Sequence, residues 1–191
     1  MDSTAEKINK KFTYADYLSW PDEERWEIIN GQAFAMTPAP SIRHQKIVGK
    51  LYTKLENSLS GKQCIPFVAP TDVVLDDFNV VQPDILVVCD PAKITEANVQ
   101  GTPDLIIEVV SPSTTLRDRR EKKALYELFG VREYILVYPE NEIVERVYLV
   151  DRKFSAPDLL NWDETLHLNL FSDMAINLWE IFEKKPGSQP E

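Results

Sequence analysis

The chain predicts an α/β domain of the α+β sandwich kind, a mixed central β-sheet flanked by helices. Three observations carry that expectation. Two runs, "QPDILVVC" (residues 82–89) and "PDLIIEVVSP" (residues 103–112), are apolar at nearly every position, as strands covered on both faces are. The second run is followed by a helix-like segment, "SPSTTLRDRREKKALYELFG", and then by another strand, "REYILVY". An earlier segment, residues 41–60, carries one apolar stripe that can lie on a sheet. At 191 residues, 43% hydrophobic and 10% aromatic, the composition is that of one soluble globular domain with a sizeable core. We place the whole chain, 1–191, in one domain, with a core over about 12–183 and a polar tail, 184–191, that frays.

In chain order, "FTYADYLSW" reads as a short helix capped by Thr13. "RWEIINGQAFAM" reads as a hairpin, because Asn30-Gly31 supplies the two positive-φ residues of a two-residue turn. "TPAP" stops the second strand. Ser41 then caps a helix running to about Ser60, with Ile47, Val48, Leu51, Leu55 and Leu59 at helical spacing and Gly61 at its end. "CIPFVAPTDVVL" and "VVQPDILVVC" read as strands joined by the turn "DDFN", and "DLIIEVV" as a third. The basic helix is capped by Ser113 or Thr114 and stopped by Gly130. "REYILVY" pairs with "VERVYLV" as a hairpin, and "INLWEIFEK" closes the chain as an amphipathic helix. The strands around Asp84 and Glu108 belong at the centre of the sheet.

Charge and cysteine content narrow the function. Lys and Arg number 21 against 31 Asp and Glu, a net charge of -10, which argues against indiscriminate binding to nucleic acid or anionic membrane. No apolar stretch approaches the roughly 20 residues that span a bilayer, and the N-terminus does not resemble a signal peptide. Cys64 and Cys89 fall in predicted strands with no metal-ligand spacing, so they read as buried thiols of a reduced cytoplasm. No phosphate-cradling glycine motif is present.

Glu108 is the residue that needs explaining. An ionised carboxylate inside an apolar strand costs several kcal/mol unless it is paired, coordinates a cation or stays protonated. Side chains alternate along a strand, so Glu108 shares a face with Ile106 and Val110, and a neighbouring strand can bring Asp84 close. Two carboxylates meeting at one sheet edge repel unless a divalent cation lies between them or one holds a proton. Oxygen ligands suit Mg²⁺ or Mn²⁺, and the lack of a Cys/His cluster makes zinc unsuitable. The plainer alternative pairs Glu108 with an arginine of the basic helix.

The residues "QPDILVV", "PDLIIEVVSPST", the Asp and Lys of "RDRREKKALY", "GVREY", "WEIINGQ" and His44 together resemble the PD-(D/E)XK nuclease superfamily, and within it a bacterial restriction-endonuclease-like family. The resemblance covers the chain from about "WEIINGQ" to "REYILVY". It implies a metal site made by Asp84, Glu108 and the backbone carbonyl of Val109. The superfamily places its lysine two residues after the glutamate, where this chain has Val110. The replacement we expect is Lys122, since Asp118, Lys122 and Tyr126 recur at i, i+4 and i+8 and so form one stripe. Its duller reading is a surface pair with Asp118. Glu27 either joins the acidic site, braces Lys122, or is an edge-strand charge facing water. His44, Arg117, Arg119 and Gln82 are candidates for contact with substrate or phosphate, His44 because it sits in the first turn of a helix. His167 and Tyr126 read as structural, and Ser111 and Ser113 as turn and cap residues.

Together these readings describe a Mg²⁺-dependent endonuclease acting on DNA, working as a homodimer because two strands are cut conveniently by two sites. Two rivals stand beside it: a catalytically degenerate binding or assembly module of the same fold, and a metal-dependent hydrolase of a smaller phosphate ester. No separate reading domain is visible, so specificity would come from loops such as "DPAKITEANVQG" or from a partner.

Overall fold

The computed structural model describes residues 10–21, 24–36 and 40–185. Its first helix, α1 (Tyr14–Tyr17), opens on a reciprocal cap in which Thr13 Oγ1 accepts from the Asp16 N–H and Asp16 accepts from the Thr13 N–H. The hairpin follows as β1 (Trp26–Ile29) and β2 (Gln32–Ala35), turning on Asn30 (φ 53°) and Gly31 (φ 79°). The "TPAP" stop lies largely outside the described residues, as does the end of the C-terminal tail. Helix α2 (Ile42–Leu59) begins where Ser41 Oγ accepts from the His44 N–H at 3.2 Å. All five stripe residues from Ile47 to Leu59 are buried. Burial at about 1.5–3 kcal/mol per large apolar side chain outweighs a cap worth about 1 kcal/mol, so the stripe, not the cap, holds α2 in place.

The two long apolar runs depart from expectation. Each is not one strand but two, interrupted near Pro70 and Pro83, which have no N–H to give to a ladder. The first run splits into β3 (Ile65–Val68) and β4 (Val73–Asp76), the second into β5 (Asn79–Val81) and β6 (Ile85–Val88). β4 and β5 form a hairpin in one sheet, whereas β3 and β6 pair in another. The remaining strands are β7 (Val99–Gln100), β8 (Leu105–Val109), β9 (Glu133–Tyr138), β10 (Ile143–Val150), β11 (Lys153–Phe154), β12 (Asp158–Asn161), β13 (Thr165–His167) and β14 (Ala175–Asn177). One sheet has the order β2-β1-β5-β4-β7. The larger is β11-β10-β9-β8-β6-β3, with β12 also on β10, and β13 pairs with β14. The β8–β9 pair is parallel and β6–β8 antiparallel, so the central sheet is mixed, with β8 in its middle as expected.

The basic helix is also less regular than its sequence. It runs as α3 (Thr115–Arg117), a π-helical turn (Asp118–Lys122) and α4 (Lys123–Phe129), and stops at left-handed Gly130. Thr114 stands at the cap position, but its hydroxyl accepts from the Ser111 N–H instead of capping the helix. The last helix, α5, is confined to Leu178–Ile181, because the residues before it are taken by β14. Among the described residues no helix is long and apolar enough to cross a membrane.

One expectation is corrected outright. Cys64 and Cys89 are not free thiols but a disulfide, just outside β3 and β6. The antiparallel register, whose outermost pair is Ile65 with Val88, brings the next residues face to face with Cα atoms 3.9 Å apart. The argument from free thiols to a reduced cytoplasm falls with it.

Candidate active site

Strand alternation places the site. Leu105, Ile107 and Val109 of β8 pack toward α2, while Ile106 and Val110 pack with Leu125, Tyr126 and Tyr134 in the opposite layer. Glu108 belongs to that second face and is 4% exposed. The partners it requires are present. Lys122 Nζ donates to Glu108 Oε1 at 2.9 Å, and the Tyr126 hydroxyl donates to the same oxygen at 3.2 Å.

Asp84 lies one position beyond the last β6–β8 pair, Ile85 with Ile107, and so stands beside Glu108. The contact is reciprocal: the Asp84 N–H donates to Glu108 Oε2 at 3.3 Å, and the Val109 N–H to Asp84 Oδ2 at 2.8 Å. His44 reaches the same carboxylate from α2, with Nε2 3.2 Å from Asp84 Oδ2. Its ring is pulled toward neutrality by burial, but the Asp84 carboxylate and then the Val109 carbonyl more than offset this and raise its pKa above the usual 6.5. The other ring nitrogen, Nδ1, is buried and without a good hydrogen bond.

Lys122 is 4% exposed and held by three carboxylates: Glu27 at 2.7 Å, Glu108 at 2.9 Å and Asp118 at 3.9 Å. Burial alone would push its proton off, yet Glu108 first and Glu27 next keep it charged, with a pKa well above the ordinary value. Burial pushes Glu108 the other way, up to about 8, opposed by Lys122. Asp118 is raised too, chiefly by burial. At the π-turn the Asp118 carbonyl accepts from the Tyr134 hydroxyl at 3.1 Å.

Glu27 comes from the other sheet. It braces Lys122, accepts from the Gln82 N–H at 3.0 Å and lies 3.8 Å from Arg117, so it is not a charge facing water. Gln82, 7% exposed, is saturated: its oxygen accepts from Arg25, and its amide donates to Asp72 and Tyr17. Arg117 packs over the Phe34 ring at 4.5 Å.

Arg25, Glu27, His44, Gln82, Asp84, Glu108, Arg117, Asp118 and Lys122 all line one cleft of about 440 Å³. Arg119 does not; its guanidinium reaches Glu145 on β10 at 3.6 Å, beyond the cleft. Val110, in the usual lysine position, is buried in the core and donates its N–H to Val137. His167 is exposed on β13. Arg25 escaped notice in the sequence. Its signal was weak, a lone arginine beside Trp26 and Glu27 whose role depends on Gln82, 57 residues away.

The lining holds five carboxylates, Glu27, Asp84, Glu108, Asp118 and Glu140, against three permanent cations, Arg25, Arg117 and Lys122. This surplus, together with an Asp84 Oδ1 that accepts nothing from the described residues, is the kind of donor set a hard cation occupies. Among the described residues no three His, Cys, Asp or Glu side chains are gathered as a complete cage. An ion here would take two carboxylates and a backbone carbonyl from the protein and the rest from water or phosphate, a habit of Mg²⁺.

The architecture is that of a nuclease-like fold. A crystal structure described as a putative nuclease belonging to DUF820, from Anabaena variabilis ATCC 29413, superposes with a TM-score of 0.75 over 90% of this chain and 98% of that one, at 18% identity. The chain belongs to the Uma2 family, described as "Putative restriction endonuclease", whose model matches residues 14–178. It is also 33% identical over 133 residues, 66% of this chain and 68% of the relative, to the protein slr1290 of Synechocystis sp. (strain ATCC 27184 / PCC 6803 / Kazusa), described as uncharacterized.

Proposed function

We propose that this chain is a Mg²⁺- or Mn²⁺-dependent endonuclease that hydrolyses phosphodiester bonds of DNA. The observation that carries the reading is the pairing of Asp84 with Glu108 at one sheet end, with Lys122 Nζ 2.9 Å from the glutamate. Asp84, Glu108 and the Val109 carbonyl would hold the ion, which when bound lowers the pKa of a water and offsets charge on the phosphate.

The remaining work falls to the chain's own side chains. Lys122, kept charged by Glu27 and Glu108, presents a fixed positive charge that orients the attacking water or stabilises the charge developing on phosphoryl oxygens. Arg117, at the rim, binds the neighbouring backbone phosphate. His44 holds Asp84 in place from the α2 side and offers a proton at Nε2. The net charge of -10 then keeps nucleic acid off the far surface while the cleft receives it locally. On duplex DNA the working unit is a homodimer, one cleft for each strand.

A supercoiled plasmid with Mg²⁺ or Mn²⁺ tests this. Nicking by the wild type that falls more than about 100-fold in Asp84→Asn and stops with chelator is the expected result. Equal nicking by wild type and variant would sink the reading. Val110, buried where the superfamily's lysine stands, favours the second reading, a binding module without catalysis. Metal binding with no cleavage of any nucleic acid would instead point to a smaller phosphate ester.

A further inference from the structure

A second cavity, about 350 Å³, opens beside the cleft and shares two of its lining residues, Pro70 and Gln82. Its size is within the range of small-molecule sites. Gln82 precedes Asp84 by two residues, so the cavity's inner wall lies within about 7 Å of chain from the paired carboxylates. The lining is part apolar, from Phe67, Pro70, Ile94 and Val99, and part polar, from Asp72, Thr95, Glu96 and Asn98.

These walls are built rather than loose. Residues 94–99, part of the loop singled out in the sequence, are folded back on themselves by the Ile94–Val99 bridge and by the Thr95 N–H, which donates to the Asn98 carbonyl. Asn98 is fixed in turn, its amide donating to the Tyr14 hydroxyl at 2.7 Å and its oxygen accepting from Thr95 and Gln100. The Gln82 side chain can offer nothing more, since its oxygen and both amide hydrogens are used. Asp72 differs. Its Oδ1 accepts from Gln82 at 2.7 Å and from Tyr17 at 2.9 Å, while Oδ2 accepts from none of the described residues. The cavity is therefore lined by two carboxylates, the exposed Glu96 and an Asp72 whose Oδ1 is held by its neighbours and whose Oδ2 is left to accept, together with aromatic and aliphatic side chains.

That chemistry excludes a phosphate and calls for a flat, uncharged group with an N–H to give. Asp and Glu accept from the exocyclic amino group of cytosine in direct base readout, and aromatic walls take a base by its face. We infer that this cavity is a base-reading subsite, taking an unstacked amino-bearing nucleobase next to the scissile phosphodiester, with Asp72 Oδ2 as the acceptor that selects it. The inference rests on the nuclease reading of the adjacent cleft and adds to it a preference for single-stranded or locally opened DNA.

The test uses free nucleosides, so that it does not depend on cleavage. Titrating ¹⁵N-labelled protein with 2′-deoxycytidine should shift the amides of Asp72 and residues 94–99 saturably, with thymidine at least about fivefold weaker. Asp72→Asn keeps an oxygen for Gln82 and Tyr17 but turns the free acceptor into a donor, so its preference should reverse toward thymidine, whose O4 accepts. No saturable shift at these residues, or deoxycytidine binding unchanged in Asp72→Asn, overturns the subsite. The two readings fail separately: nicking without nucleoside binding removes the subsite and leaves the nuclease, and nucleoside binding without metal-dependent nicking removes the nuclease and leaves the pocket.

Discussion

Lys122 and Glu108 are 14 residues apart in sequence and joined by a hydrogen bond of 2.9 Å in a place that water barely reaches. The bond crosses from the π-turn to the central strand. It supplies by a helix the positive charge that the strand itself cannot give, because Val110 is spent on the core.

Removing that charge should be costly. Lys122→Met leaves Glu27 and Glu108 buried without their cation, and a loss of about 3–5 kcal/mol is expected from urea unfolding. Adding Glu27→Gln and Glu108→Gln to the same variant should recover much of the loss. A single-variant effect below about 1 kcal/mol would show that the three groups are not coupled as described.

Metal binding gives a direct reading of the paired carboxylates. Calorimetry with Mn²⁺ should show a site in the wild type that weakens by at least about tenfold in Asp84→Asn and in Glu108→Gln, since even outer partners of a ligand cost that much. Unchanged affinity in either variant would remove that residue from the ligand set.

Glu133 allows a pH prediction away from the cleft. It is fully buried, and burial raises its pKa above the ordinary 4.5 against the opposing N–H groups of Asn169 and Leu170. A carboxyl raised on folding favours the folded state when protonated, so its contribution is full below about 4.5 and is lost as pH rises through the raised value. The Tm of the wild type relative to Glu133→Gln should therefore climb as pH falls from 7 toward 4. A flat difference would contradict the shift.

The Cys64–Cys89 bond closes a loop over a separation of 25 residues. Loop-closure entropy gives it about 3 kcal/mol of stability. Dithiothreitol, or Cys64→Ser with Cys89→Ser, should lower the urea midpoint accordingly while leaving Mn²⁺ affinity intact, because the bond is at the opposite end of β6 from Asp84.

What was readable beforehand had local causes. Glu108 stood out because one carboxylate broke an apolar run, and the Asp118, Lys122, Tyr126 stripe because four-residue spacing puts side chains on one helix face. All three of those helix residues are buried together, even though the backbone is π from Asp118 to Lys122 and α only from Lys123 on. The splitting of "CIPFVAPTDVVL" and "VVQPDILVVC" between two sheets was signalled only by Pro70 and Pro83, which could equally have begun or edged a strand. The pairing of Cys64 with Cys89 depends on a register that no local pattern displays. Strands β11 to β14 are short and half-exposed, with too little alternation to announce themselves, and β14 claimed residues that looked helical.

Glu27 comes from the first hairpin and Glu108 from the central sheet, and one ammonium answers to both. The two layers consequently share a single keystone. A shortened chain beginning after β2 would keep the Asp84 and Glu108 strands intact but would lose Lys122's nearest carboxylate and strand the Gln82 amide. The site is thus a joint property of the two sheets, and neither carries it alone.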